Sequence, residues 1–210
     1  MMIPPGGTRE AAAAAGRLAS LERALLDRFL RAEAMAMWAV RSAQAHAPPR
    51  ALAFLRRHEE EEREHLRRFE ELTGVAAREK PVLPKVPKQW HALAVQLYGY
   101  EVLGLELAKI LADVRPDLSA ILREEEVHVG FFEREVREIL AAGRGPANGA
   151  REFARAWLRR LPRTVDRYLR GDGLDPFRDA LRRGILGSIS TRFTSVGLLD
   201  GGRNTPGPSG

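Results

Sequence analysis

Glu61-Glu62-Arg63-Glu64-His65-Leu66-Arg67-Arg68-Phe69-Glu70 is answered further along the chain by Glu124-Glu125-Glu126-Val127-His128-Val129-Gly130-Phe131-Phe132-Glu133, and both fit the ten-residue pattern E-E-x-x-H-x-x-x-F-E. A repeat of that detail predicts two equivalent elements in two related halves. Around each copy the apolar residues recur at helical spacing: Phe54, His58, Glu62, His65, Phe69 and Leu72 share one face, and Leu118, Ile121, Glu125, His128, Phe132 and Ile139 share the other. A carboxylate and an imidazole three residues apart therefore interrupt each core-facing stripe. Burying such groups costs several kcal/mol, on the order of 2–7 for a polar group and more for a charge, unless something neutralises them. Each stripe asks for a cation.

Two further helices supply the matching interruptions. The first is predicted over about Arg17 to His46, stopped by Pro48-Pro49, and the motif helix that follows over about Arg50 to Leu72, ended by Gly74. Ala76 to Pro87, with its prolines, reads as a crossover. A third helix is predicted over about Lys88 to Ala112, and a fourth from the turn at Pro116 to about Ala142. Glu33 breaks the stripe of the first helix and Glu101 that of the third. Glu33 lies 15 residues before Pro48 and Glu62 lies 14 after it, so an antiparallel hairpin brings them level. In the second half Glu101 lies 15 residues before Pro116 and Glu125 only 9 after it, whereas Glu106 lies 10 before. Glu101 is preferred because it lies on the main stripe and shares with Glu33 the form Glu-x-x-small (Ala36, Gly104); Glu106 stays as the alternative. His58, one turn before Glu62, is a candidate for the layer around these groups, and Tyr98 and Tyr100 for lining a pocket beside them. Core packing is the plainer reading of all three.

Strand signals are nearly absent, so the expected class is all-α. The 210 residues, 44% of them hydrophobic, suffice for one domain with a core of ordinary size. Cys is absent, which excludes a disulfide framework, a Cys-ligated zinc or iron–sulfur site and a thiol nucleophile. The formal net charge of +6 hints at nucleic acid or an anionic membrane. Divided at Gly143, however, the chain carries 21 basic and 22 acidic residues before that point and 13 and 6 after it. The basicity belongs to the last third, read as a helix over about Arg151 to Arg170, a Gly-Asp-Gly break and a shorter helix over about Pro176 to Arg183. The expected organisation is a flexible N-terminus over 1–16, a bundle over 17–143, a basic helical extension over 144–197 and a disordered tail over 198–210. The start shows no secretory signal and no apolar run spans a bilayer, so the default expectation is a cytoplasmic protein. For the basic extension the first expectation is packing on the bundle or on a second copy of the chain as a homodimer. Contact of 151–170 with an anionic membrane surface comes next, and nucleic acid is disfavoured.

Four carboxylates and two imidazoles in a bundle core form a nitrogen and oxygen site for two metals, suited to iron or manganese. The candidate ligands are Glu33, Glu62, His65, Glu101, Glu125 and His128. In helix count, crossover position and these six residue types, residues 17–142 resemble the ferritin-like di-iron carboxylate superfamily, where two helices each give a Glu and two each give Glu-x-x-His. Within it, Glu101 ahead of Pro116, Glu125-Glu126-Val127-His128, and His65-Leu66-x-x-Phe69 before a Pro-rich segment leading to Trp90 look most like demethoxyubiquinone hydroxylase. The resemblance implies two iron ions, an electron donor, reductive activation of O2 and hydroxylation of a small, quinone-like substrate. A rubrerythrin-like peroxidase or an iron-oxidising ferritin-like protein is the second expectation, a tRNA-modifying hydroxylase the third, and a metal-stabilised module without catalysis the last.

Overall fold

The computed structural model describes residues 6–77, 86–171 and 173–200, with side chains from residue 15 onward. All regular structure among these residues is helical: α1 (Gly6–Ala43), α2 (Pro49–Thr73), α3 (Trp90–Val114), α4 (Ser119–Ala141), α5 (Arg144–Tyr168) and α6 (Arg178–Ser195). The all-α expectation is thus met. Helix α1 begins well before Arg17, so residues 6–16, expected to be flexible, carry helical backbone. The run Ala11 to Ala15 has the highest helix propensity of any residue type and explains the extension. Pro49 occupies the first helical position of α2, where its missing N–H is not needed, and Gly74 closes the helix at φ 67° with its N–H donated to Glu70 O. Between α3 and α4 a 3₁₀ turn, Pro116–Leu118, takes up the first residues expected to be α-helical. The middle of the expected crossover, residues 78–85, lies outside the described residues.

α1 packs on α2, α3 on α4, and α1 on α3. Phe54 of α2 stacks on Phe131 of α4 at 3.6 Å between ring centroids, which ties the two motif helices together. At the end where α2 begins, buried Glu135 of α4 accepts from Arg50 of α2 (Oε2, 3.0 Å) and from the Trp90 indole of α3 (3.0 Å). α5 crosses α3 and α4, and α6 packs on α3 and α5. The buried side chains of α5 and α6 belong to the same continuous core as those of α1 to α4. On α5 these are Ala150, Ala154, Trp157, Leu161 and Val165, while Arg155, Arg159, Arg160, Arg163 and Arg167 face outward.

α6 runs well past Arg183, the expected end. Gly184 and Gly187 lower its helix propensity, but Ile185, Ile189 and Phe193 at four-residue spacing are all buried, and their packing outweighs the local preference. The helix ends at Gly197, φ 86°, with Leu198 N–H donated to Phe193 O and Gly197 N–H to Thr194 O. This Schellman closure seats Leu198 in the core, fully buried, whereas a disordered tail was expected from residue 198. Residues 201–210 lie outside the described range. No helix among the described residues is long and apolar enough to cross a membrane.

Candidate metal centre

Hairpin α1–α2 and hairpin α3–α4 bring their interrupted stripes face to face. Glu33, Glu62, His65, Glu101, Glu125 and His128, from four helices, are all less than 5% exposed. They form two overlapping groups: Glu33, Glu62, His65 and Glu125 offer ligating atoms within 4.8 Å of one another, and so do His58, Glu62, Glu101 and His128. Glu62 belongs to both. The structure therefore brings together the six residues singled out from the sequence and places His58 beside them. Glu106 is elsewhere: its carboxylate takes Lys109 Nζ at 2.7 Å and the Ser188 hydroxyl of α6 at 2.8 Å.

Both motif imidazoles are held in one way. His65 Nε2 lies 2.6 Å from Glu124 Oε2, and His128 Nε2 lies 2.9 Å from Glu61 Oε2. With Nε2–H donated to a carboxylate, the lone pair of each ring sits on Nδ1. Each Nδ1 is turned to the cluster: His65 Nδ1 is 3.6 Å from Glu33 Oε2, and His128 Nδ1 is 3.6 Å from both Glu62 Oε1 and Glu101 Oε2. Glu61 and Glu124 are the first glutamates of the two repeats, so each half orients the histidine of the other. Sequence reasoning missed this role although the doubled Glu was in plain view. Gly104 supports the geometry too, since a Cβ there would come within 3.2 Å of Glu125 Oε2.

Four carboxylates this close in a dry interior cannot all be ionised without a cation. Burial first, and then the charge and hydrogen bond of Glu62, push the Glu33 carboxyl well above its ordinary range. Burial and the charges of Glu62, Glu33 and Glu101 do the same to Glu125. For Glu62 burial also acts upward, but hydrogen bonds from Glu33 and His58 and the imidazole charges outweigh it and hold the group down. Glu101 is held down by His58 and His128 in the same way, against its burial. Protons thus do part of a cation's work. Two divalent ions would balance four carboxylates with the imidazoles neutral. The donors also fit such ions: His65 Nδ1, His128 Nδ1 and Glu62 Oε2 are buried without a hydrogen-bond partner. A mixed imidazole and carboxylate set suits iron or manganese.

The two tyrosines expected beside the site are engaged elsewhere. The Tyr98 hydroxyl donates to Glu133 Oε1 at 3.0 Å, an oxygen that Arg192 also holds, and its ring stacks on Phe193 at 5.2 Å. Tyr100 is 40% exposed and meets Trp157 edge-on. Residues 98 and 100 flank the face that carries Glu101, and α5 and α6, not the cluster, cover those flanks. A surface cleft of about 470 Å³ between α1 and α2, lined by Met37, Arg41 and Arg67 among others, includes none of the clustered residues. Comparison of the chain with protein-family models, with curated proteins and with solved structures gives no match.

Proposed function

We propose that the chain is a ferritin-like four-helix bundle, its halves joined by the crossover between α2 and α3, and that it holds two metal ions in the overlapping groups centred on Glu62. The ions are iron, with manganese as the alternative, and the protein is an oxidoreductase that uses O2. The observation that carries the reading is the pair of imidazoles whose Nδ1 atoms point, unpartnered and buried, at carboxylates shared between two groups. Glu33, Glu62, His65 and Glu125 would hold one ion, and Glu62, Glu101 and His128 the other.

Two bound irons would supply the one-electron couples and the O2 affinity that side chains lack. The chain's own residues set the conditions. Phe54 and Phe132, whose rings lie against those of His58 and His128, would keep water from that side of the cluster. Glu61 and Glu124 fix the imidazole tautomers. Glu33 and Glu125 carry protons that must leave when cations enter. By resemblance the reaction is hydroxylation of a quinone-like substrate, in which O2, a C–H bond, two electrons from a donor and two protons give an alcohol and water. The arginine-bearing face of 151–170, by its composition, is the place for contact with an anionic membrane surface, which would suit a lipophilic substrate.

Anaerobic iron loading tests the metal reading. Two irons per chain are expected, with ligand-to-metal absorption on oxidation; Glu62→Ala, which removes the residue common to both groups, should abolish binding, and Glu125→Ala should lose the ion held by Glu33, Glu62 and His65. A wild-type chain that retains well under two irons, or either variant with full occupancy, would overturn the assignment. Lipid and quinone extraction of the iron-loaded protein tests the substrate class.

A further inference from the structure

The correspondence between the halves breaks at one buried position. The register that sets Glu62 on Glu125 and His65 on His128 sets His58 on Ile121, and both are buried, at 0% and 2% exposure. An imidazole thus stands where the other half has a hydrocarbon. His58 Nε2 is 2.8 Å from Glu62 Oε1 and 3.5 Å from Glu101 Oε2. His128 Nδ1 sits 3.6 Å from the same two oxygens. Neighbouring donors on one ion with bonds of about 2.0–2.2 Å lie about 3 to 3.5 Å apart. His58 Nε2 meets that spacing at least as well as His128 Nδ1 does. The two rings lie 3.7 Å apart between centroids, side by side on the same pair of carboxylates.

We propose that His58 is a direct ligand of the ion held by Glu62, Glu101 and His128, so that the two metal positions are chemically unequal. This rests on the dinuclear reading above. One position then has two imidazoles and two carboxylates, and the other has one imidazole and three carboxylates. Imidazole favours iron, cobalt and zinc, and carboxylate favours manganese. The imidazole-rich position fills first with a borderline ion, and the carboxylate-rich one is the position that accepts manganese.

The test is anaerobic titration of the chelator-stripped full chain with Co(II), followed by visible absorption, in wild type and His58→Gln. Glutamine keeps an N–H that can be donated to Glu62 but removes the imidazole. In wild type two binding steps should separate by at least about tenfold, and in His58→Gln the tighter step should weaken by more than about 100-fold, beyond what loss of an outer hydrogen bond does. With one equivalent of Co(II) followed by Mn(II), wild type should hold one of each. X-ray absorption of wild type carrying one equivalent of Co(II) reads the same point without a variant: two imidazoles on that ion are expected, and one overturns the proposal. Two ions bound with unchanged affinities in His58→Gln also overturns it while leaving the dinuclear reading intact, whereas no binding by wild type defeats that reading itself.

Discussion

Glu61 and Glu124 are only partly buried, at 31% and 47% side-chain exposure, yet each holds the histidine that positions a buried donor. A carboxylate behind an imidazole fixes its tautomer and raises its basicity, and removing it costs about 10- to 100-fold in metal affinity. Glu61→Ala should therefore weaken the ion at His128, and Glu124→Ala the ion at His65, each by that factor, with smaller losses for the Gln variants that keep an acceptor. Metal titration of both variants checks it; equal weakening of both positions by either one would contradict the cross-half pairing. The six central residues were legible because buried Glu and His on an apolar stripe conflict with the hydrophobic pattern around them. Their outer partners gave no such conflict, since a glutamate at the edge of a charged helix satisfies every sequence rule. His58 lay on the stripe but reads equally well as a core histidine, and only its distances to Glu62 and Glu101 distinguish the two. Counted by height from Pro116, Glu106 matches Glu125 better than Glu101 does, and it is position on the apolar stripe that picks out Glu101, the one of the two that joins the cluster.

Among the helices, α5 shows how a segment that looks like an appendage becomes core. Its Trp157 ring presses on α3 at Gly99, where a Cβ would lie 2.6 Å from Trp157 Cζ2. Flat rings cannot yield along their plane, so Gly99→Ala forces α3 and α5 apart at a cost of about 1–3 kcal/mol. Trp157→Ala instead leaves a cavity and costs about 3–5 kcal/mol. Both should lower the melting temperature in thermal unfolding, Trp157→Ala by more; an unchanged melt for either would mean that α5 is not part of the cooperative core. Helix boundaries were least legible where propensity and packing disagree. α6 passes two glycines because three buried residues at the right spacing outweigh them, and the Ala-rich start of α1 is helical although its pattern carries no apolar stripe to announce it.

Taken over the whole molecule, the buried charges make folding and metal binding respond to pH in opposite senses. Glu33, Glu125 and His58 all bind protons more tightly in the folded chain than in the unfolded one. For such groups the folded state holds the extra protons, so stability falls as pH rises above the unfolded value toward the folded one. Glu62 and Glu101 shift the other way, and their contribution is complete once pH exceeds the ordinary carboxylate range. The metal-free chain should therefore melt at progressively lower temperature as pH rises from about 5 to about 8. Added metal displaces those protons, so its stabilising effect should grow over the same interval. Melts with chelator and with excess Mn(II) across that range measure both; a metal-free melting temperature that rises with pH would contradict the proton placement.

Each of the two groups proposed to hold an ion draws on both hairpins: Glu33, Glu62 and His65 need Glu125, and Glu101 and His128 need Glu62. A polypeptide of half this length, with one glutamate and one Glu-Glu-x-x-His, could complete neither position alone and would depend on meeting a second copy. Carrying the repeat twice in one chain turns that encounter into the closing of a loop, whose effective concentration does not fall when the protein is dilute. Assembly of the proposed centre would thereby not depend on protein concentration.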